Sequence, residues 1–164
     1  MNKETYKKTA EYINSHPKFK SIVVFTEKYS SKPSVIIFFG LLFYLTIKLD
    51  ARVFAVGAVP LAVFCLVTFI RKKLNFKRPF EEIGFESVVP HSTGNGCPSR
   101  HAASCTVISM AAFFVSTPLG IISSVFSLIV CISRVITGVH YIRDVLWGAF
   151  IGIAAGYIVY FIIL

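Results

Sequence analysis

The chain has 164 residues, enough for about one domain, yet 55% of them are hydrophobic and only 15% are charged. Soluble domains run about 45–50% apolar and about 25% charged, so a mean hydropathy of +0.70 favours an integral membrane protein and excludes disordered, collagenous and disulfide-scaffold chains. The formal net charge of +9 fits nucleic acid, anionic headgroups or a phosphorylated substrate, and burial in lipid argues against the first.

In chain order, the first 18 residues are polar, so no charged-then-apolar leader with a small-residue cleavage site is expected. Residues 1–32 mix lysines with Tyr12, Ile13, Phe19, Ile22, Val23 and Phe25. That pattern predicts an amphipathic arm lying in the interface, broken at Pro17. Five apolar stretches follow, at residues 33–47, 53–70, 102–117, 118–132 and 145–164. About twenty apolar residues cross a bilayer core, so the first, third and fourth are short and need flanking residues or local thinning. The expected fold is an all-α integral membrane bundle of about five transmembrane helices spanning residues 33–164. Pro118-Leu119-Gly120 is the turn signal between the third and fourth spans and predicts a tight hairpin there. The last span carries Gly148, Gly152 and Gly156 on one helical face, where another helix can approach closely. Packing within the bundle is the expected use, with a dimer seam as the alternative.

The four cysteines, at 65, 97, 105 and 131, have no metal-binding spacing. They read as small packing residues, and neither zinc nor a structural disulfide is expected. Residues 71–99 form one long polar connection, and loops of that length are often functional.

Beyond residue 87 the only ionisable groups besides Cys and Tyr are His91, Arg100, His101, Arg134, His140, Arg143 and Asp144. Asp144 is the sole carboxylate there, four residues after His140. If a helix begins near Gly138, that spacing lets the carboxylate meet the imidazole, fixing its tautomer and leaving the other nitrogen to attack or shuttle protons. Alternating spans bring Arg71, His101, Arg134 and Asp144 to one membrane face. Arg71, Lys72, Lys73, Lys77, Arg78, Arg100 and Arg134 would then form a cationic bowl suited to phosphoryl oxygens. Cations at helix ends also snorkel to headgroups, which accounts for some of them singly. It does not account for a lone Asp one turn from a His.

Read together, these residues resemble the type 2 phosphatidic acid phosphatase superfamily of membrane lipid phosphatases. That family carries a Lys followed after six residues by Arg-Pro, then Pro-Ser-Gly-His, then Ser-Arg, five residues, His, three residues, Asp. Ser133, Arg134, His140 and Asp144 match the last motif completely. Pro98-Ser99-Arg100-His101 matches the second, with Arg in place of Gly. Arg78-Pro79 match the first, with Arg71 at the spacing of the usual Lys and Lys72 beside it. The resemblance implies that His140 is a nucleophile forming a phosphohistidine, that Asp144 orients it, and that His101 protonates the leaving group and then activates water. It further implies that Arg71 or Lys72, Arg78, Ser99, the backbone of Arg100, and Arg134 hold phosphate, without a metal or other cofactor. The expected activity is a membrane lipid phosphatase, with undecaprenyl diphosphate the favoured substrate. Phosphatidylglycerophosphate or phosphatidate are alternatives, as is phosphotransfer to another acceptor or a noncatalytic lipid-binding role. The expected partners are the bilayer and its lipid phosphate substrate, not nucleic acid.

Five spans put the arm and the site on the same side, which then holds all of the 17 basic residues except Lys48 and Arg52. The positive-inside rule assigns that face to the cytoplasm. The family resemblance favours the extracytoplasmic face, and Cys97, in the polar connection, would report the answer through an impermeant thiol reagent.

Overall fold

A computed structural model describes residues 2–164, and among these every regular element is helical. Helices α1 (Lys3–Ser15) and α2 (Pro17–Tyr29) make the arm, and Pro17 at the first position of α2 breaks it where a missing N–H costs nothing. The bundle follows as α3 (Lys32–Ile47), α4 (Arg52–Leu74), the short α5 (Pro79–Ile83), α6 (Arg100–Val115), α7 (Thr117–Ile136) and α8 (Ile142–Tyr157), which continues as a π-helical stretch, Ile158–Ile163.

Four stretches are long and apolar enough to cross a membrane: Pro17–Ile47, Arg52–Ile83, Thr117–Ile136 and Ile142–Ile163. The fifth, α6, has 16 residues and rises only about 24 Å. It sits inside the bundle, which explains its composition. Ala102, Ala103, Val107, Ala111 and Ala112 are buried against neighbours on several sides, and small residues let helices approach where the hydrophobic effect gives no help. The lipid-facing surface carries exposed Phe43, Phe54, Phe69, Trp147 and Phe150, as an apolar solvent requires.

The glycine face of α8 is occupied by α6. A Cβ on Gly148 would stand 2.3 Å from the Ser99 carbonyl oxygen, and one on Gly152 would stand 2.1 Å from Thr106 Oγ1. The hairpin after α6 turns at Ser116, two residues earlier than the Pro118-Leu119-Gly120 signal predicts. Pro118 lies in the first turn of α7, where proline is well tolerated, and Gly120 is there because Phe113 packs against its α-carbon.

The arm does more than lie along an interface. Tyr6, Ala10 and Ile13 turn inward, and Ala10 and Ile13 pack with Val23, Val88, Val89 and Val139. Tyr6 accepts a hydrogen bond from the Ile142 backbone through its hydroxyl (3.0 Å), and Lys3 pairs with Glu82 at 2.8 Å. These contacts hold α1 over the 84–99 loop and the start of α8.

Candidate active site

The site forms where α4, α6, α7 and α8 end on the same side of the bundle. Two ties bring its segments into register. Ser99 caps α6, and its backbone N–H donates to the Asp144 carbonyl at 2.8 Å, coupling the first turns of α6 and α8. The His140 backbone N–H donates to the Arg134 carbonyl at 3.1 Å across a turn in which Gly138 has φ +72°. That left-handed conformation suits glycine, and a Cβ there would also stand 2.9 Å from the Phe85 ring.

His140 is 2% exposed. Its Nδ1 lies 2.7 Å from the Gly96 carbonyl oxygen, a group that can only accept, so Nδ1 carries the proton and Nε2 keeps its lone pair. Asp144, which the sequence predicts to orient the ring, lies on the same Nδ1 side. Its Oδ2 stands 3.8 Å from Nδ1, beyond hydrogen-bond range, and instead accepts the Tyr141 backbone N–H at 2.9 Å to cap α8. Buried at 1% exposure, Asp144 acts on the imidazole through its field. Burial pulls the His140 pKa below its ordinary value, the Arg78 and Arg71 charges add to that shift, and Asp144 opposes it.

Three guanidiniums are buried around this point: Arg71, Arg78 and Arg134. Arg71 interacts electrostatically with Arg78, Arg100, Asp144 and Cys97, while Lys72 is exposed, so the helical phase of α4 turns Arg71 into the cluster and its neighbour away. Arg78 donates from Nε to the Gly94 carbonyl at 3.0 Å, and the loop is braced by Glu81, which accepts the Gly94 N–H at 2.8 Å. One nitrogen of Arg78 (Nη1) and one of Arg134 (Nε) are buried without a partner. Buried donors are normally satisfied, so two open guanidinium N–H groups in one cluster mark a place for anionic oxygens.

His101 lies close enough to Arg134, His140, Arg100 and His91 to feel their charges. With Arg100 it lines a cavity of about 240 Å³ that also touches Ser31, Ser34 and Val35 of α3 and Phe64 of α4. The Arg100 side chain stacks on Phe64 at 5.2 Å. The Ser133 hydroxyl turns back to the Val130 carbonyl. Among the described residues no three His, Cys, Asp or Glu side chains gather as metal ligands.

Cys97 is buried, and burial pushes its thiol up to about 11. It is therefore a poor target for a thiol reagent on either face, contrary to the expectation for a polar loop.

Two participants escape motif reasoning. Gly96 contributes only a carbonyl, for which no side-chain signal exists. Glu27 of α2 pairs with Arg134 across 107 residues of sequence, and the same carboxylate stands 3.8 Å from His91 Nε2. The available signal was that Glu27 is the only acid in α2.

A family model described as the PAP2 superfamily matches residues 52–164. The chain is similar to the undecaprenyl-diphosphatase BcrC of Bacillus subtilis (strain 168), at 25% identity over 158 residues, spanning 96% of this chain and 82% of that protein. Its fold is similar to the crystal structure of Aquifex aeolicus LpxE, with TM-score 0.71, 23% identity and coverage of 94% and 92%. It is also similar to the first transmembrane PAP2-type phosphatidylglycerolphosphate phosphatase from Bacillus subtilis, with TM-score 0.63, 22% identity and coverage of 95% and 83%.

Proposed function

The chain belongs to the PAP2 superfamily of membrane phosphatases, and from that premise we propose that it hydrolyses undecaprenyl diphosphate through a phosphohistidine on His140, at an extracytoplasmic site. The observation that carries the catalytic part is the His140 ring, held by Gly96 with Nε2 unprotonated beside two guanidiniums that each keep a buried open N–H. The likeness to an undecaprenyl-diphosphatase along nearly the whole chain supports the choice of lipid.

In this reading Arg71, Arg78 and Arg134 take the oxygens of the terminal phosphate, together with the backbone N–H groups at the start of α6, where the helix dipole favours an anion. Nε2 attacks the phosphorus and the phosphoanhydride bond breaks. The departing lipid monophosphate takes a proton from His101 as its leaving oxygen requires. His101 then removes a proton from water, which attacks the phosphohistidine and releases inorganic phosphate. The imidazolium character that His140 gains in this step is stabilised by Asp144, buried 3.8 Å away. No step calls for a metal. The second phosphate of the substrate adds charge to an Arg-rich site, so the diphosphate is preferred over the monophosphate of the same lipid.

The test compares kcat/KM in one detergent for undecaprenyl diphosphate, its monophosphate, phosphatidylglycerophosphate and a soluble aryl phosphate, with His140→Asn as the chemical control. The proposal expects the diphosphate to lead and His140→Asn to release no phosphate while staying folded. Full activity in His140→Asn overturns the mechanism. A clear lead for phosphatidylglycerophosphate replaces the substrate, and a lead for the aryl phosphate removes lipid specificity.

A further inference from the structure

We propose that Glu27, on a helix outside the region matched to the family, is a positioning residue of the phosphate site that aims Arg134. The Arg134 guanidinium is 4% exposed and the Glu27 side chain 10%. A guanidinium so buried is costly without a partner, and Glu27 is its counter-charge.

The manner of the pairing points to aiming rather than blocking. Glu27 Oε1 accepts from Nη1 of Arg134 and leaves Nε buried and open. A carboxylate that filled the fork in place of phosphate would engage both donors of one edge. Arg78 shows the same design by local means, with Nε fixed by Gly94 and Nη1 open. Each guanidinium thus spends one N–H on the protein and keeps another for an incoming oxygen. For Arg78 the anchor is its own loop; for Arg134 it is α2.

Glu27 also differs from the other acids of the arm. Glu4 and Glu11 are exposed and pair with Lys8 and Lys7 on their own helix, the ordinary use of surface charge. Glu27 is buried against α7 and stands 3.8 Å from His91 as well, so one carboxylate ties the arm, the loop and the end of α7 together. The helix that carries it also walls an apolar groove against α7, lined by Phe19, Ile22, Val23, Ile129, Ile132 and Ile136. Movement of α2 therefore shifts the phosphate site directly.

The experiment uses the full chain in detergent with Glu27→Ala and Glu27→Gln, reading kcat and KM, inhibition by vanadate as a phosphate-like oxyanion, and thermal unfolding. Misplacing a binding group by about an ångström costs on the order of a hundredfold. Glu27→Ala should therefore lower kcat by about 10- to 100-fold and weaken vanadate inhibition in parallel. Glu27→Gln, whose amide oxygen accepts the same Nη1 hydrogen bond, should recover to within about fivefold of the parent. A role confined to holding α2 on α7 would lower the melting temperature of both variants and leave kcat and vanadate inhibition unchanged; that result overturns the proposal. So does a gain of activity in Glu27→Ala, which would make the carboxylate a competitor of phosphate, and so does equal loss in both variants. If Glu27→Ala does not fold, Glu27→Asp, one methylene short of Arg134, takes its place with the same expectations. The inference rests on the phosphatase reading, so His140→Asn is run beside it: activity there overturns that reading, whereas an inactive His140→Asn with a parent-like Glu27→Ala overturns only the role of Glu27.

Discussion

Gly148 offers a direct test of whether the packing of α6 on α8 sets the catalytic geometry. The Cβ of Gly148→Ala would lie 2.3 Å from the Ser99 carbonyl oxygen and 3.2 Å from Ala102 Cβ, while ordinary contact begins at 3.4 Å. The obstacle is backbone and cannot rotate away, so the helices must part by about 1.1 Å. Ser99 begins the turn bearing His101, and Gly148 lies one helical turn after Asp144. A separation of that size moves His101 against His140 by a distance worth on the order of a hundredfold in rate, with overpacking costing about 1–3 kcal/mol of stability. Gly156→Ala is the matched control. Its Cβ would stand 2.4 Å from Met110 Cβ, a similar clash at the far end of the helices. Phosphate release and thermal unfolding of both purified variants should therefore show comparable destabilisation, with kcat lowered about a hundredfold in Gly148→Ala alone and near the parent in Gly156→Ala. Parent-like kcat in Gly148→Ala, or equal loss in the two, would refute the argument.

Arg71→Ala should reduce kcat/KM by about 10²–10³, the usual effect of removing one preorganised donor. Lys72→Ala, at an exposed position, should stay within about threefold; the reverse order in the same phosphate-release assay would move the first-motif role to Lys72. The proposed attack requires a neutral His140, whose pKa is lowered from 6.5 by burial first and then by neighbouring guanidiniums, with Asp144 opposing the shift. Activity therefore persists as pH falls past 6.5 and is lost only lower. A pH profile of kcat should place the acid limb below 6.5, and Arg71→Ala should move it upward because one depressing charge is gone. Ser92→Cys puts a thiol at an exposed loop position. An impermeant reagent should label it in intact cells if the site is extracytoplasmic, with the parent as blank; labelling only after lysis reverses the face.

Much of the fold is local in origin and therefore readable along the chain. Apolar runs mark α3, α4, α6, α7 and α8, because a bilayer asks only for length and the absence of charge. Pro17 breaks the arm by its own covalent geometry. The closeness of His140 to Asp144 is also local, although it comes from the turn before α8 rather than from the helix expected near Gly138, because α8 begins only at Ile142. The placement of Ser99 at the start of α6 is local too. Arg71 and Lys72 are adjacent in sequence and equal in charge, so only the packing of α4 distinguishes the buried one from the exposed one. The hairpin turns at Ser116 rather than at Pro118-Leu119-Gly120, and Phe113 seats against Gly120 in a contact across two helices that no local turn signal encodes.

What holds the two principal site residues in place was outside the reach of pattern. His140 is fixed by the carbonyl of Gly96, and every residue has a carbonyl, so no residue identity could announce it. Arg134 is held by Glu27, 107 residues away, and that partnership exists only because α1 and α2 fold back over the loop and α7. Residue type and spacing settle which chemistry can be assembled, since charge and basicity belong to the side chains themselves. Which nitrogen of His140 stays free, and which edge of Arg134 stays open, depend on neighbours distant in sequence that meet only when the helices pack.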